Sequence, residues 1–111
     1  MQSCGGQIIP PKTFYQELYK ELKAKGVVCI GDEVQTGFAR LGEAYWASEY
    51  YGVVPDIMTV GKAMGNGFPV AAVICTKEIA DSYKNRNMEF FSTYGGNPLA
   101  VTATSAVLDV I

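Results

Sequence analysis

Residues 27–37 read Val-Val-Cys-Ile-Gly-Asp-Glu-Val-Gln-Thr-Gly. Four apolar residues follow one another without alternation, and the run then stops at a glycine and two acids. A short, unbroken apolar run of this kind is typical of a strand that is buried on both faces of an α/β sheet. The sequence therefore predicts a buried strand over 27–30 that leads into a polar turn.

Helical and strand patterns alternate on either side of this run. Phe14, Leu18 and Leu22 recur at four-residue spacing within 12–25, which predicts an amphipathic helix that ends at Gly26. Further helices are predicted over 43–51, over 77–83 and from 98 onward, and further strands over 56–60 and 70–75. This alternation favours the α/β class, with a mostly parallel sheet flanked by helices.

The composition excludes several classes of function. The chain has 111 residues, no histidine and a net charge of −2. Without histidine there is no Ser-His-Asp triad, no Cys-His pair and no imidazole metal ligand, so we expect no metal site. The slightly acidic balance predicts no nucleic-acid partner, and no apolar run is long enough to predict a membrane span.

The three cysteines and the chain ends bear on compartment and domain organisation. Cys4, Cys29 and Cys75 are too far apart for a zinc motif or a CxxC pair, and their odd number favours a reducing compartment. We see no repeat, linker or internal boundary over 1–111. Because residues 105–111 are apolar and lack a helix stop signal, we expect an excerpt from a longer protein; a small domain with ragged ends is the alternative.

Three segments combine polar side chains with glycines: residues 32–40 and the loop around Lys62, which follow predicted strands, and residues 91–98. Ligands of open α/β sheets gather outside the carboxyl ends of the strands. A lone acid such as Asp32 more often caps a loop or reaches solvent. Asp32 and Glu33 would point to opposite faces of a continuing strand, so they make a poor glycosidase pair.

Lys62 lies between glycines and apolar residues, which indicates a loop that is not simply solvated. A surface lysine in a turn is the alternative. Partial burial would favour the neutral amine, which can attack a carbonyl carbon. The spacing of the glycines excludes a Walker A loop and a GxGxxG fingerprint.

Thr93, beside Gly95 and Gly96, could bind an anion such as phosphate, although such a segment is more often just a turn.

Taken together, three segments resemble the class III (ω-amino) aminotransferases, which are pyridoxal-phosphate enzymes of fold type I. They are residues 32–38 (Asp-Glu-Val-Gln-Thr-Gly-Phe), residues 55–67 with Gly61-Lys62-Ala63, and residues 93–98 (Thr-Tyr-Gly-Gly-Asn-Pro). The resemblance runs over the whole chain. It implies that 1–111 is the central part of the family's large cofactor-binding domain, without an internal boundary.

The resemblance also implies roles for five residues. Lys62 would form the Schiff base with the cofactor and carry the substrate's proton. Asp32 would pair with the pyridinium nitrogen, which keeps the ring an electron sink. Val34 would pack on one face of the ring, and Gln35 would lie near its phenolic oxygen. Thr93 would bind the cofactor phosphate of a neighbouring subunit, so a homodimer or higher homo-oligomer is expected.

The implied activity is transfer of an amino group from an amine or amino acid to a keto acid. Residues 1–7 resemble the family's phospho-lyases, which eliminate phosphate and ammonia from ethanolamine phosphate or phosphohydroxylysine. Residues 37–46 and 69–76 equally resemble the alanine–glyoxylate aminotransferase 2 branch. Phospho-lyase activity is therefore one alternative, and a non-catalytic α/β fragment is a second. We expect the isolated 111-residue chain to be inactive.

Two further expectations follow from the resemblance. The family occurs in cytosol and mitochondria, so either compartment is expected. Ala39 stands where the family usually has a glycine before Arg40, a departure that bears on the geometry of that turn and not on the cofactor assignment.

Overall fold

A computed structural model describes residues 4–86 and 89–111. These residues contain four helices, three strands and a short 3-10 helix. In order they are α1 (Lys12–Ala24), β1 (Ile30–Asp32), α2 (Ala47–Tyr51), β2 (Ile57–Val60), the 3-10 helix (Lys62–Gly65), β3 (Ala72–Cys75), α3 (Lys77–Lys84) and α4 (Pro98–Val110). None of the helices in the described part of the chain is both long and apolar enough to cross a membrane.

The three strands form one mixed sheet in the order β1-β2-β3. β1 and β2 are parallel, with Asp32 opposite Thr59. β2 and β3 are antiparallel, with Val60 opposite Ala72. The α/β class is confirmed, but the described sheet holds one antiparallel pair beside its parallel one. A parallel return needs a long crossover, usually helical, whereas the chain between β2 and β3 contains only the 3-10 helix.

The first strand lies later and is less covered than predicted. β1 begins at Ile30, and Cys29 alone of the predicted strand is buried, at 4% exposure. Val27 and Val28 are exposed, and Ile30 is 61% exposed. The apolar run therefore marks the position of the sheet correctly, but the prediction that it is buried is wrong for the described chain, in which this sheet face is open.

α1 packs against α2 through aromatic rings. Tyr15 and Tyr51 meet edge to face with 4.7 Å between ring centroids, and Tyr51 is buried. Gln16 Nε2 donates to the Tyr51 carbonyl at 3.0 Å. α1 follows the predicted bounds closely, and the φ of +69° at Gly26 explains why the helix ends there.

Asp56 aligns the starts of the two parallel strands. Its Oδ2 accepts the Cys29 N–H at 2.8 Å, and its Oδ1 pairs with Lys23 Nζ at 3.2 Å. The Cys29 N–H, and after it Lys23, hold the pKa of Asp56 below its usual value. Because this contact fixes β1 beside β2 at their amino ends, their carboxyl ends emerge side by side.

Candidate active site

The carboxyl edge of β1 presents Asp32 in a fixed orientation. Its Oδ1 accepts a hydrogen bond from Thr59 Oγ1 at 3.1 Å and another from the Val34 N–H at 3.1 Å. Its Oδ2 accepts no hydrogen bond from residues 4–86 or 89–111. The side chain is exposed, so this acid is oriented by neutral donors and keeps one oxygen free for a further partner.

The loop after β2 places Lys62 in a strained backbone conformation. Lys62 opens the 3-10 helix with φ of +44°, in the left-handed region that lysine rarely adopts. Its side chain is exposed, although Gly61 and Gly65 around it are buried. The expectation of a partly buried lysine is therefore wrong for the described chain. Backbone strain of this kind concentrates at functional sites.

Lys62 faces an open pocket of about 310 Å³, whose other lining residues are Val34, Gln35, Arg40 and Ala63. Three of the five predicted site residues thus share one pocket. Asp32 does not line this pocket, but its carboxylate accepts a hydrogen bond from the N–H of Val34, which does. Lys62 also lines a second pocket, of about 480 Å³.

Thr93 lies apart from these residues. It is exposed and lines neither of the pockets that Lys62 lines. Ser92 Oγ accepts the Gly95 N–H at 3.0 Å, and Asn97 Oδ1 caps α4 by accepting the Ala100 N–H at 3.0 Å. The turn that carries Thr93 is thus held at both ends, and Pro98 begins α4 as predicted.

Glu33 has a structural role that sequence reasoning missed. It is only 2% exposed, and its carboxylate accepts from Ala47 N at 3.0 Å, Ser48 N at 2.7 Å and the Thr36 hydroxyl. These bonds satisfy the free amides at the start of α2. β1 ends at Asp32, so the strand does not continue through Glu33; Glu33 is buried and Asp32 is exposed.

Arg40 is a second residue that sequence reasoning did not single out for the pocket. The two residues before it, Phe38 and Ala39, have φ of +59° and +57°. Gly37 lets the Trp46 ring lie close to the backbone, since a Cβ atom at this position would lie 2.6 Å from that ring. Neither consecutive left-handed residues nor this close approach leaves a signal in a single sequence.

Cys4 contacts the pocket from the amino-terminal side, where its Sγ donates to Gln35 Oε1 at 3.1 Å. Among residues 4–86 and 89–111, no cluster of three His, Cys, Asp or Glu side chains could hold a metal ion.

The family model for class III aminotransferases matches residues 1–111. The chain belongs to the class III aminotransferase family. A Drosophila melanogaster protein named alanine–glyoxylate aminotransferase 2-like is 50% identical over 111 residues, which are all of this chain and 22% of that protein. The ethanolamine-phosphate phospho-lyase homolog 1 of Caenorhabditis elegans is 50% identical over 113 residues, covering 100% of this chain and 24% of that protein.

Solved structures of similar proteins share the fold. A thermostable (S)-enantioselective ω-transaminase from Thermomicrobium roseum matches with a TM-score of 0.91 at 34% identity, over 98% of this chain and 25% of that one. A phospholyase from Arthrobacter in complex with phosphoethanolamine matches with a TM-score of 0.86 at 39% identity, over 95% and 25%. The chain thus spans about a quarter of the length of these relatives.

Proposed function

We propose that this chain supplies the lysine and the ring-binding residues of a pyridoxal-phosphate enzyme that transfers an amino group from an amine or amino acid to a keto acid. The observation that carries the proposal is the position of Lys62. A strained lysine shares one pocket with Val34 and Gln35, beside an oriented acid at the carboxyl edge of two parallel strands.

The residues present suit this cofactor, which supplies an aldehyde carbon and an electron-withdrawing ring. Lys62 Nζ would bind the aldehyde carbon and carry the substrate's proton. Asp32 Oδ2 is free to accept a hydrogen bond from the ring nitrogen, since Thr59 and the Val34 N–H occupy the other oxygen. Val34 would pack on one face of the ring, and Gln35 would lie near its phenolic oxygen; both residues line the pocket that Lys62 lines.

We further propose that the whole enzyme is larger than this chain. Residues 1–111 would form the central part of a larger cofactor-binding domain, as the 22% share of the Drosophila relative supports. Thr93, which is exposed and outside the Lys62 pockets, would bind the cofactor phosphate of a neighbouring subunit in a homodimer or larger oligomer. A human relative that is 50% identical is named as mitochondrial, which is compatible with a mitochondrial location for this protein.

Borohydride trapping on the full-length protein tests the role of Lys62. We expect reduction in the presence of pyridoxal phosphate to attach the cofactor to Lys62, as read by peptide mapping. Lys62→Ala should lose the label, whereas Lys20→Ala, which removes an exposed lysine of α1, should keep it. Labelling of another lysine would contradict the assignment, and no labelling at all would favour the non-catalytic alternative.

Phosphate elimination is the competing activity, because one relative is named a phospho-lyase homolog and one similar structure contains phosphoethanolamine. The two reactions separate when phosphoethanolamine is supplied without a keto acid. Amino transfer predicts a single half-turnover without phosphate release. Continuous release of inorganic phosphate would replace the transferase proposal with the phospho-lyase one, while the role of Lys62 would stand.

A further inference from the structure

Arg40 stands beside Lys62 on the walls of two pockets. It lines the 310 Å³ pocket with Lys62, Val34 and Gln35. It also lines the 480 Å³ pocket, where the remaining residues are Lys62, Ala63, Asn66, Gly67, Phe68 and Pro69. Arg40 and Lys62 therefore share both spaces, and none of the described residues that line either one is acidic.

The guanidinium has no partner of its own in the described chain. Arg40 is exposed, and it forms no hydrogen bond or ion pair with residues 4–86 or 89–111. Of the two acids at this edge, Asp32 neither lines these pockets nor forms an ion pair with Arg40, and Glu33 is buried and already accepts three hydrogen bonds. The pocket thus offers a fork of five N–H donors that bind no acceptor among the described residues, beside the amine of Lys62.

The backbone that carries Arg40 is strained and yet firmly held. Phe38 and Ala39 are both left-handed, a conformation that residues other than glycine rarely adopt. The Phe38 ring packs edge to face on Trp46 with 5.1 Å between centroids, and the Ala39 N–H donates to the Tyr45 carbonyl at 3.1 Å. These contacts hold the turn in the conformation that carries Arg40 to the wall of the pockets.

We propose that Arg40 binds the anionic group of the amine substrate, a carboxylate or a phosphate, while the substrate's amine lies toward Lys62. Guanidinium groups bind both anions through paired hydrogen bonds, and an unpaired one in a pocket without acids favours such a ligand. The inference rests on the proposed function, because it takes the Lys62 pocket as the site of the reacting amine.

Anion binding gives a test that does not require turnover. Propionate and ethyl phosphate, which lack the amine, are titrated calorimetrically into the full-length protein loaded with pyridoxal phosphate. We expect Arg40→Gln to weaken at least one of them by about 10- to 100-fold, the range for a hydrogen bond to a charged group. Arg40→Lys should lose less, and the matched control Arg86→Gln, which removes an exposed arginine after α3, should lose nothing.

Steady-state kinetics sharpens the test in the same variants. KM for β-alanine or phosphoethanolamine should rise in Arg40→Gln, while KM for propylamine, which has no anion, should stay within about twofold. The affinity for pyridoxal phosphate is measured alongside, since the cofactor's own phosphate is the other anion that Arg40 could bind.

The outcomes separate the two proposals. If neither anion binds the wild-type protein, or if Arg40→Gln leaves both affinities unchanged, the role of Arg40 is wrong. If Arg40→Gln weakens only the cofactor, Arg40 belongs to the cofactor phosphate and the substrate proposal fails. If Lys62 is not labelled by borohydride, the proposed function fails regardless of the result for Arg40.

Discussion

The turn after β1 and the loop after β2 leave the same edge of the sheet, but they are held in different ways. In the first, residues 33–46, Glu33 is buried and bonded to the start of α2, and Trp46 packs over Gly37. In the second, residues 61–69, the side chains of Lys62, Asn66 and Phe68 are exposed. We refer to these as the anchored turn and the open loop.

The difference separates the groups that would orient a ligand from the group that would react with it. Val34, Gln35 and Arg40 reach the pocket from the anchored turn, whereas Lys62 reaches it from the open loop. Binding groups benefit from a rigid support because little of their conformational entropy is then lost when the ligand binds. A reacting lysine must instead move between bond partners, and an exposed side chain leaves it free to do so.

The largest expected effect comes from removing the Glu33 carboxylate, which holds the anchored turn. Glu33→Ala should destabilise the full-length protein by about 3 kcal/mol, because it leaves the buried Ala47 amide, the buried Thr36 hydroxyl and the part-buried Ser48 amide without an acceptor. The measurement is the free energy of unfolding from urea denaturation.

Asp32→Asn is the matched control, since it changes the neighbouring acid on the exposed side of the same strand end. We expect its effect on the free energy of unfolding to stay within about 0.5 kcal/mol. Equal losses in the two variants would show that the anchored turn is not held by Glu33 in particular.

A second test compares one glycine from each region. Gly37→Ala should cost about 1–3 kcal/mol, because the new Cβ atom would lie 2.6 Å and 2.8 Å from two carbons of the Trp46 ring. In Gly61→Ala the nearest atom is the Val70 carbonyl oxygen at 3.5 Å, an ordinary contact, so we expect a smaller loss.

Thermal unfolding of both variants, each compared with the parent protein, checks this prediction. A loss in Gly61→Ala that matches or exceeds the loss in Gly37→Ala would reverse the contrast between the anchored turn and the open loop.

Local patterns in the sequence predicted much of this edge. The apolar run at 27–30 marked the sheet, the glycines around Lys62 marked the loop, and Pro98 marked the start of α4. These features depend on periodicity and turn chemistry, which a single sequence contains. The order of three motifs along the chain was enough to indicate the family that the comparisons then confirmed.

The features that were missed depend on contacts between distant residues. Glu33 bonds to Ala47, 14 residues along the chain, and nothing in its immediate neighbours distinguishes it from a solvated acid. The return of β3 antiparallel to β2 depends on how the intervening loop folds. The exposure of Lys62 and Ile30 depends on what packs beside them, which local pattern cannot specify.

The smallest expected effect concerns the strain within the anchored turn. Ala39 has φ of +57°, so Ala39→Gly removes a left-handed penalty of about 1–2 kcal/mol and adds a backbone entropy cost of about 0.5–1 kcal/mol. We expect a net stabilisation of about 0.5 kcal/mol, seen as a higher melting temperature. This balance also explains why glycine suits the position.

The open loop supplies the counterpart for this test. Asn66 has φ of +45°, but asparagine tolerates the left-handed region better than alanine, so Asn66→Gly should gain little or nothing. Ala44→Gly, at a residue without positive φ, should lower the melting temperature. If Ala39→Gly also lowers it, the contacts of Phe38 and Tyr45 already offset the strain, and the anchored turn holds Arg40 without any penalty that glycine could relieve.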